Sequence, residues 1–235
     1  MPVRKPPRTS SGPAGKPRPS ATPKAVDEAT LIEIMRRFEA ANPHPVGELE
    51  HSDPYTLLVA VVLSAQATDK GVNIATRRLF KDAATPAAMA ALGEERVADH
   101  IRTIGLYRNK AKNVVALSRI LVERHAGEVP HDRAALESLP GVGAKTASVV
   151  LNIAFGEPTI AVDTHVFRIS NRIPLFIGKT PDEVQRGLER RIPQPYLHNA
   201  HHWLILHGRY ICKARGPDCG RCPIADLCRY PAKTI

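Results

Sequence analysis

The stretch that decides the fold is Leu139–Phe155, LPGVGAKTASVVLNIAF. Gly141 and Gly143 permit a tight turn between RAALESL and an apolar helix that begins near Ala144, and they leave the first backbone amides of that helix facing outward without partners. Such a terminus is an anion site, and a contact made by backbone reads no sequence. A lysine, Lys145, stands in the first turn. There it faces the positive end of the helix dipole, which disfavours its charged form and adds nothing to stability. A neutral amine at an anion-binding turn is a nucleophile beside its substrate.

Outward from this hairpin the whole chain reads as helix. Leu31, Ile34, Met35 and Phe38 recur at helical spacing before ANPHPVG ends their segment. Asp53-Pro54 then opens YTLLVAVVLSAQ with a capping acid and a first-turn proline. KGVNIATRRLF, PAAMAALG, EERVADHIRTI, RNKAKNVVALSRILVERH, DRAALESL, THVFRISNRI, TPDEVQRGLERRI and YLHNAHHWLILHGRYIC follow the same period. No window alternates with period two over a strand's length, and no repeat of fixed period is present. The sequence therefore predicts an all-α protein of many short helices joined by short loops.

The 235 residues, 43% hydrophobic and 24% charged, suffice for one or two cored domains. No apolar run nears the roughly 20 residues that span a bilayer, which excludes a membrane protein. The net charge is +10 and unevenly spread, because six of the 33 lysines and arginines fall in residues 1–25, which contain no acid. With seven prolines and almost nothing apolar, this segment reads as a disordered basic tail and not as a secretory or mitochondrial targeting peptide. Its function is either solubility or an electrostatic tether to nucleic acid. In a basic protein the anion for the hairpin is a phosphodiester.

All four cysteines, Cys212, Cys219, Cys222 and Cys228, lie in CKARGPDCGRCPIADLC, separated by six, two and five residues. Four thiolates from one short loop point to a single metal site. Structural zinc and an iron–sulfur cluster both remain open on spacing alone, since only Cys219 and Cys222 form a close pair.

A carboxylate is within reach of the lysine. From Lys145 the helix climbs about 15 Å to Phe155, and the non-helical GEPTIAV spans about 25 Å, so the chain can return to its start. It would bring Asp163 beside Lys145 as the N-cap of THVFRIS. An amine and a carboxylate at a phosphate-binding hairpin suit attack on a sugar carbon, with the acid assisting proton transfer.

Together the hairpin LPGVGAKTA, the downstream PTIAVDTHVFR, the cysteine loop, SAQATD at Ser64–Asp69, TIGLYRNKA at Thr103–Ala111 and HHWLILHGRY at His201–Tyr210 carry a resemblance. From about Val26 onward the chain resembles the endonuclease III family, helix-hairpin-helix DNA glycosylases of base-excision repair. The resemblance implies a two-domain helical fold: a six-helix barrel over residues 47–157, and a cluster domain joining residues 26–46 to 158–235. It implies a four-iron four-sulfur cluster on Cys212, Cys219, Cys222 and Cys228, which resolves the choice of metal. It makes Lys145 the catalytic nucleophile and Asp163 the catalytic aspartate. DNA contacts fall to Gly141, Val142 and Gly143 of the hairpin, to Lys213 and Arg215 of the cysteine loop, to Gln66 in the gap left by a flipped nucleotide, to Leu106 as an intercalating wedge, and to His165 beside the base pocket. A leucine is otherwise most often core.

The implied activity is removal of oxidised pyrimidines through a lysine Schiff base, then cleavage 3′ to the abasic site by β-elimination. The implied partner is double-stranded DNA containing damaged bases or abasic sites, bound by a monomer in the bacterial cytoplasm, at the nucleoid. One departure is Ala144, where many relatives carry arginine before the lysine; it removes a cation from the phosphate site. Two alternatives carry different consequences. An adenine-mismatch glycosylase of the same fold lacks the lysine and adds a C-terminal domain that this sequence does not show, and a non-enzymatic DNA-binding module would carry its four cysteines on zinc.

Overall fold

The computed structural model describes residues 24–234, so the basic tail lies, but for its last two residues, outside the described residues. Among these there is no strand. No helix among the described residues is long and apolar enough to cross a membrane. Ten α-helices follow in order: α1 (Glu28–Ala41), α2 (Pro54–Ser64), α3 (Asp69–Asp82), α4 (Pro86–His100), α5 (Tyr107–Arg124), α6 (Arg133–Glu137), α7 (Ala144–Phe155), α8 (Thr164–Arg172), α9 (Pro181–Arg191) and α10 (Gln194–Tyr210).

Helix starts obey local chemistry. Asp27, Asp53, Thr68, Thr85, Asp132, Asp163 and Thr180 each cap the helix that follows by accepting a backbone N–H. At Asp53 the cap is reciprocal, since the Thr56 hydroxyl lies 3.1 Å from the Asp53 amide. The two segments expected at PAAMAALG and EERVADHIRTI run on as α4, but Gly93, at φ +78°, breaks the helix between them.

These helices bury two main cores. The larger is built by α2 to α7 around α2, buried on all sides from Tyr55 to Leu63. The second joins distant parts of the chain: Leu31, Ile34, Met35 and Phe38 of α1 pack with Val166 and Ile169 of α8, Val184 and Leu188 of α9, and Trp203 and Leu204 of α10. Polar ties hold α1 there. The Trp203 indole donates to the Asn42 carbonyl at 2.8 Å. Arg37 is bidentate to Asp226 at 2.6 and 3.0 Å.

Candidate active site and cysteine cavity

The hairpin between α6 and α7 has the form its glycines predict. Gly141 sits at φ +80°, and a Cβ there would lie 3.0 Å from Asn113 Nδ2 and 3.2 Å from Val62, so both conformation and space demand glycine. Val142 is buried beneath the turn. Gly143 is the N-cap of α7 and, lacking a side chain, occupies none of its first amides. Those amides are left to an external acceptor, and Lys145 stands exposed one residue into the helix.

The return path is built into α7. Asn152, fully buried, places Nδ2 at 3.0 Å from the Glu157 carbonyl and 3.1 Å from that of Thr159, and the Thr159 hydroxyl donates to the Ser148 carbonyl at 2.8 Å. These bonds fold the segment back along the helix it has just left. It ends at Asp163, whose Oδ1 accepts from the amides of His165 and Val166, both at 2.8 Å. The cap uses one carboxylate oxygen and leaves Oδ2 to the cleft.

Lys145 and Asp163 line one cleft, with Gln66, Asp69, His165 and Arg209 around them. A broader cleft beside it shares Asp69, His165 and Arg209 and adds Lys70, Asn73, Arg77 and Tyr210. Between the two stands a clamp across the two cores: Arg209 of α10 pairs with Asp69 of α3 and with Glu48, which also accepts from the Tyr210 hydroxyl. Burial alone would raise Glu48, but Tyr210 and Arg209 outweigh it and hold that carboxyl below its ordinary range.

Gln66 and Leu106 share an uncommon feature. Gln66 has φ +55° and Leu106 φ +60°, left-handed conformations that side chains other than glycine rarely adopt. Leu106, 63% exposed, is not core. It is the N-cap of α5 and provides no capping oxygen. An exposed leucine held in a strained turn at an uncapped helix start has no stabilising role there; such strain clusters at functional sites.

Cys212, Cys219, Cys222 and Cys228 line one small cavity with Arg172, His207 and Tyr230, and none forms a disulfide. Among the described residues no three His, Cys, Asp or Glu side chains are arranged to hold a single metal ion. Four thiols in one cavity are the donor set that a four-iron four-sulfur cluster takes, one sulfur to each iron. Three sulfurs also face nitrogen donors, the contacts that tune cluster ligands: Arg172 Nη1 lies 3.6 Å from Cys212, His207 Nε2 3.8 Å from Cys222, and the Tyr230 amide 3.5 Å from Cys228. Burial pushes the Cys222 thiol up to about 11, so thiolate forms here with a cationic metal beside it.

Helix α8 connects cavity and cleft. Asp163 starts it, and from its later turns Arg168 Nη2 donates to the Gly208 carbonyl at 2.6 Å and the Cys212 carbonyl at 3.2 Å, while Arg172 donates to the Lys213 carbonyl at 2.7 Å. A Cβ on Gly208 would stand 2.9 Å from that of His165, so glycine lets α10 approach α8.

The structure thus brings Lys145, Asp163, Gln66 and His165 to one cleft. Leu106, Lys213 and Arg215 lie outside its lining, each exposed. Sequence reasoning missed the Arg209–Asp69–Glu48 clamp, Arg168, Arg172 and the buried pair His201 and His202. The clearest signal was HHWLILHGRY itself, where histidines and an arginine interrupt an otherwise apolar helix.

The chain is similar to known proteins over most of its length. Residues 59–194 match the HhH-GPD superfamily base excision DNA repair protein family, and residues 212–228 the iron–sulfur binding domain of endonuclease III. Endonuclease III of Escherichia coli (strain K12) is 56% identical over 208 residues, covering 88% of this chain and 99% of its own. That of Haemophilus influenzae is 54% identical with the same coverage. A solved structure of a trapped endonuclease III–DNA covalent intermediate superposes with a TM-score of 0.81 at 44% identity, over 87% of this chain and 96% of that one. A thermostable thymine-DNA glycosylase, 24% identical with a TM-score of 0.76 over 86% of this chain and 95% of its own, shares the fold.

Proposed function

The chain belongs to the endonuclease III family, and from that premise we infer that its base-excision chemistry runs through Lys145, with Asp163 as acid–base partner. The protein is a DNA glycosylase and AP lyase with a four-iron four-sulfur cluster, and it acts on DNA. The observation that carries the assignment is the meeting of Lys145 and Asp163 in one cleft, directly behind uncapped hairpin amides.

In this reading the amides of the Gly141–Gly143 turn hold a backbone phosphate while the damaged nucleotide leaves the stack, a movement that costs least where pairing is already weakened. Gln66 fills the gap and Leu106 wedges the duplex. The free amine of Lys145 attacks C1′, and the base departs with the electrons of the glycosidic bond and takes up a proton. The ammonium so formed gives up one proton, and the nitrogen lone pair then breaks the C1′–O4′ bond, O4′ taking up a proton, so that a protonated Schiff base remains on Lys145. Asp163 moves the proton at the amine and stabilises the positive charge that develops at C1′. Loss of a proton from C2′ then expels the 3′ phosphate with the electrons of its C–O bond and cuts the strand.

The cluster, held by Cys212, Cys219, Cys222 and Cys228, supplies a fixed frame for the loop that presents Lys213 and Arg215 to phosphates. His165, which faces both clefts, lines the base site. We assign oxidised pyrimidines as the lesion class and a monomer as the working form in the bacterial cytoplasm. We assign residues 47–157 to the barrel and 26–46 with 158–235 to the cluster domain, a division that the two separate cores support. An adenine-mismatch reading has no place for Lys145.

Borohydride reduction of the enzyme on lesion-containing duplex should trap a covalent complex, and Lys145→Gln should abolish it while keeping the brown absorption of the cluster. Trapping by Lys145→Gln at wild-type levels would assign the nucleophile to another amine.

A further inference from the structure

The amine and the carboxylate of the cleft sit on two stretches of chain, α7 and the segment that returns from it, and a third helix ties the two together. Asn152 and Thr159 hold the returning segment to α7 as far as residue 159. Beyond that point, Ile160 is fully buried, and among the described residues no main-chain carbonyl accepts its amide. A buried N–H needs an acceptor. A side chain supplies it: the Ile160 amide donates to Glu189 Oε1, on α9, at 3.0 Å, three residues before Asp163.

The same carboxylate oxygen is held from its other side. Gln185, one turn before Glu189 on α9, donates from Nε2 to Glu189 Oε1 at 2.9 Å and to Ser148 Oγ at 3.2 Å. Ser148 is fully buried on α7, three residues after Lys145. Its hydroxyl oxygen also accepts from Arg133 Nη1, on α6, at 3.1 Å, so both of its lone pairs are used. The path runs from Ser148 through Gln185 and Glu189 to Ile160, from the helix of the nucleophile to the segment of the acid. Helix α9 is fixed beneath it, because Val184 and Leu188 are buried in the same core as Ile160.

We propose that Glu189 and Gln185 of α9 are positioning residues for the lysine–aspartate pair: by bridging Ser148 to the Ile160 amide they set the separation of Asp163 from Lys145. The inference rests on the assignment of that pair as catalytic. It explains why a buried amide next to the active segment is answered by a side chain from another helix, and why that side chain is itself oriented by a second one. Removing the Glu189 acceptor orphans the amide. The segment then shifts, which moves the Asp163 carboxylate and leaves the hairpin amides where they are.

The test compares full-length, cluster-loaded variants on an abasic-site duplex, in single turnover over a range of enzyme concentrations. Glu189→Met keeps the bulk and removes the acceptor; Glu189→Gln keeps an oxygen at Oε1; Gln185→Met leaves the acceptor on Ile160 and cuts its tie to Ser148. Glu189→Met should lower the maximal cleavage rate by about tenfold to a hundredfold, the range expected for a misplaced catalytic group. Its half-saturating enzyme concentration should stay within about twofold, since the phosphate contacts are untouched. Glu189→Gln should recover most of the rate, and Gln185→Met should lose about threefold to tenfold. A side chain that served stability alone would lower the urea midpoint and leave the maximal rate of the folded, brown protein unchanged. A wild-type maximal rate in Glu189→Met, a loss confined to the half-saturating concentration, or a Glu189→Gln as slow as Glu189→Met overturns the proposal. Should Glu189→Met fail to fold, Gln185→Met decides, and a wild-type rate there overturns it. Lys145→Gln is run alongside: loss of trapping there with a wild-type Glu189→Met refutes the positioning role only, whereas retained trapping refutes the catalytic assignment beneath it.

Discussion

A carboxylate that caps a helix has one oxygen to spare, and Asp163 shows what that permits. Both capping bonds end on Oδ1, so the structural and chemical roles are divided between two atoms of one side chain. Asparagine keeps an equivalent of Oδ1 and caps about as well, with a change in stability of a few tenths of a kcal/mol, whereas alanine loses about 1 kcal/mol. Asp163→Asn should therefore unfold at the wild-type temperature and bind lesion duplex normally, yet turn over slower by a factor on the order of 10². Single-turnover cleavage beside a melting curve measures both, and wild-type turnover in Asp163→Asn would confine the residue to its cap. At this scale the sequence is legible where chain neighbours set a residue's task. Lys145 stands out because glycines flank its turn and a dipole opposes it; the clamp of Arg209 does not, because its partners Asp69 and Glu48 lie 140 and 161 residues away in the chain.

Helices are legible as elements because their signals are local: an apolar stripe, an Asp or Thr before the first turn, a proline at N1. The informative cases are those that break the rule. Of the helices whose starts lack a side-chain cap, α5 and α7 begin where the resemblance places DNA, at Leu106 and Gly143. No propensity predicts Leu106 at φ +60°, a conformation that costs about 1–2 kcal/mol for an ordinary residue. If Leu106 were core, Leu106→Ala would destabilise by about 2–5 kcal/mol. Since it is 63% exposed, stability should change by less than about 0.5 kcal/mol, and the loss should appear in binding to a lesion duplex and not to undamaged DNA, because a wedge acts only once the stack opens. Equal losses of affinity on both duplexes would return Leu106 to a generic surface contact.

The molecule as a whole sets its cleft at the seam of two cores, one of which is closed by the first helix and the last segments of the chain together. That long-range closure is invisible to periodicity, and it creates a feature that composition does not hint at: α10 buries His201 and His202 at 4% and 8% exposure where the cores meet. Burial pushes His201 down to about 3 and His202 down to about 4, against about 6.5 in the unfolded chain. The sign follows from proton counting. Between pH 6.5 and 4 the unfolded chain binds protons at both rings and the native protein does not, so acid favours unfolding; above about pH 7 both states are neutral there and the effect vanishes. His207, also pushed down to about 4 by burial, adds a third ring, so stability should fall by roughly 4 kcal/mol from pH 7.5 to pH 5.5, at about 1.4 kcal/mol per ring for each unit below the unfolded value. This lies above the range in which the paired carboxylates, such as Glu48, begin to lose their own contribution. Urea midpoints of the cluster-loaded protein at the two pH values give the slope. His202→Gln, which cannot titrate, should remove about a third of it, and an unchanged slope in that variant would show that His202 is protonated in the native protein.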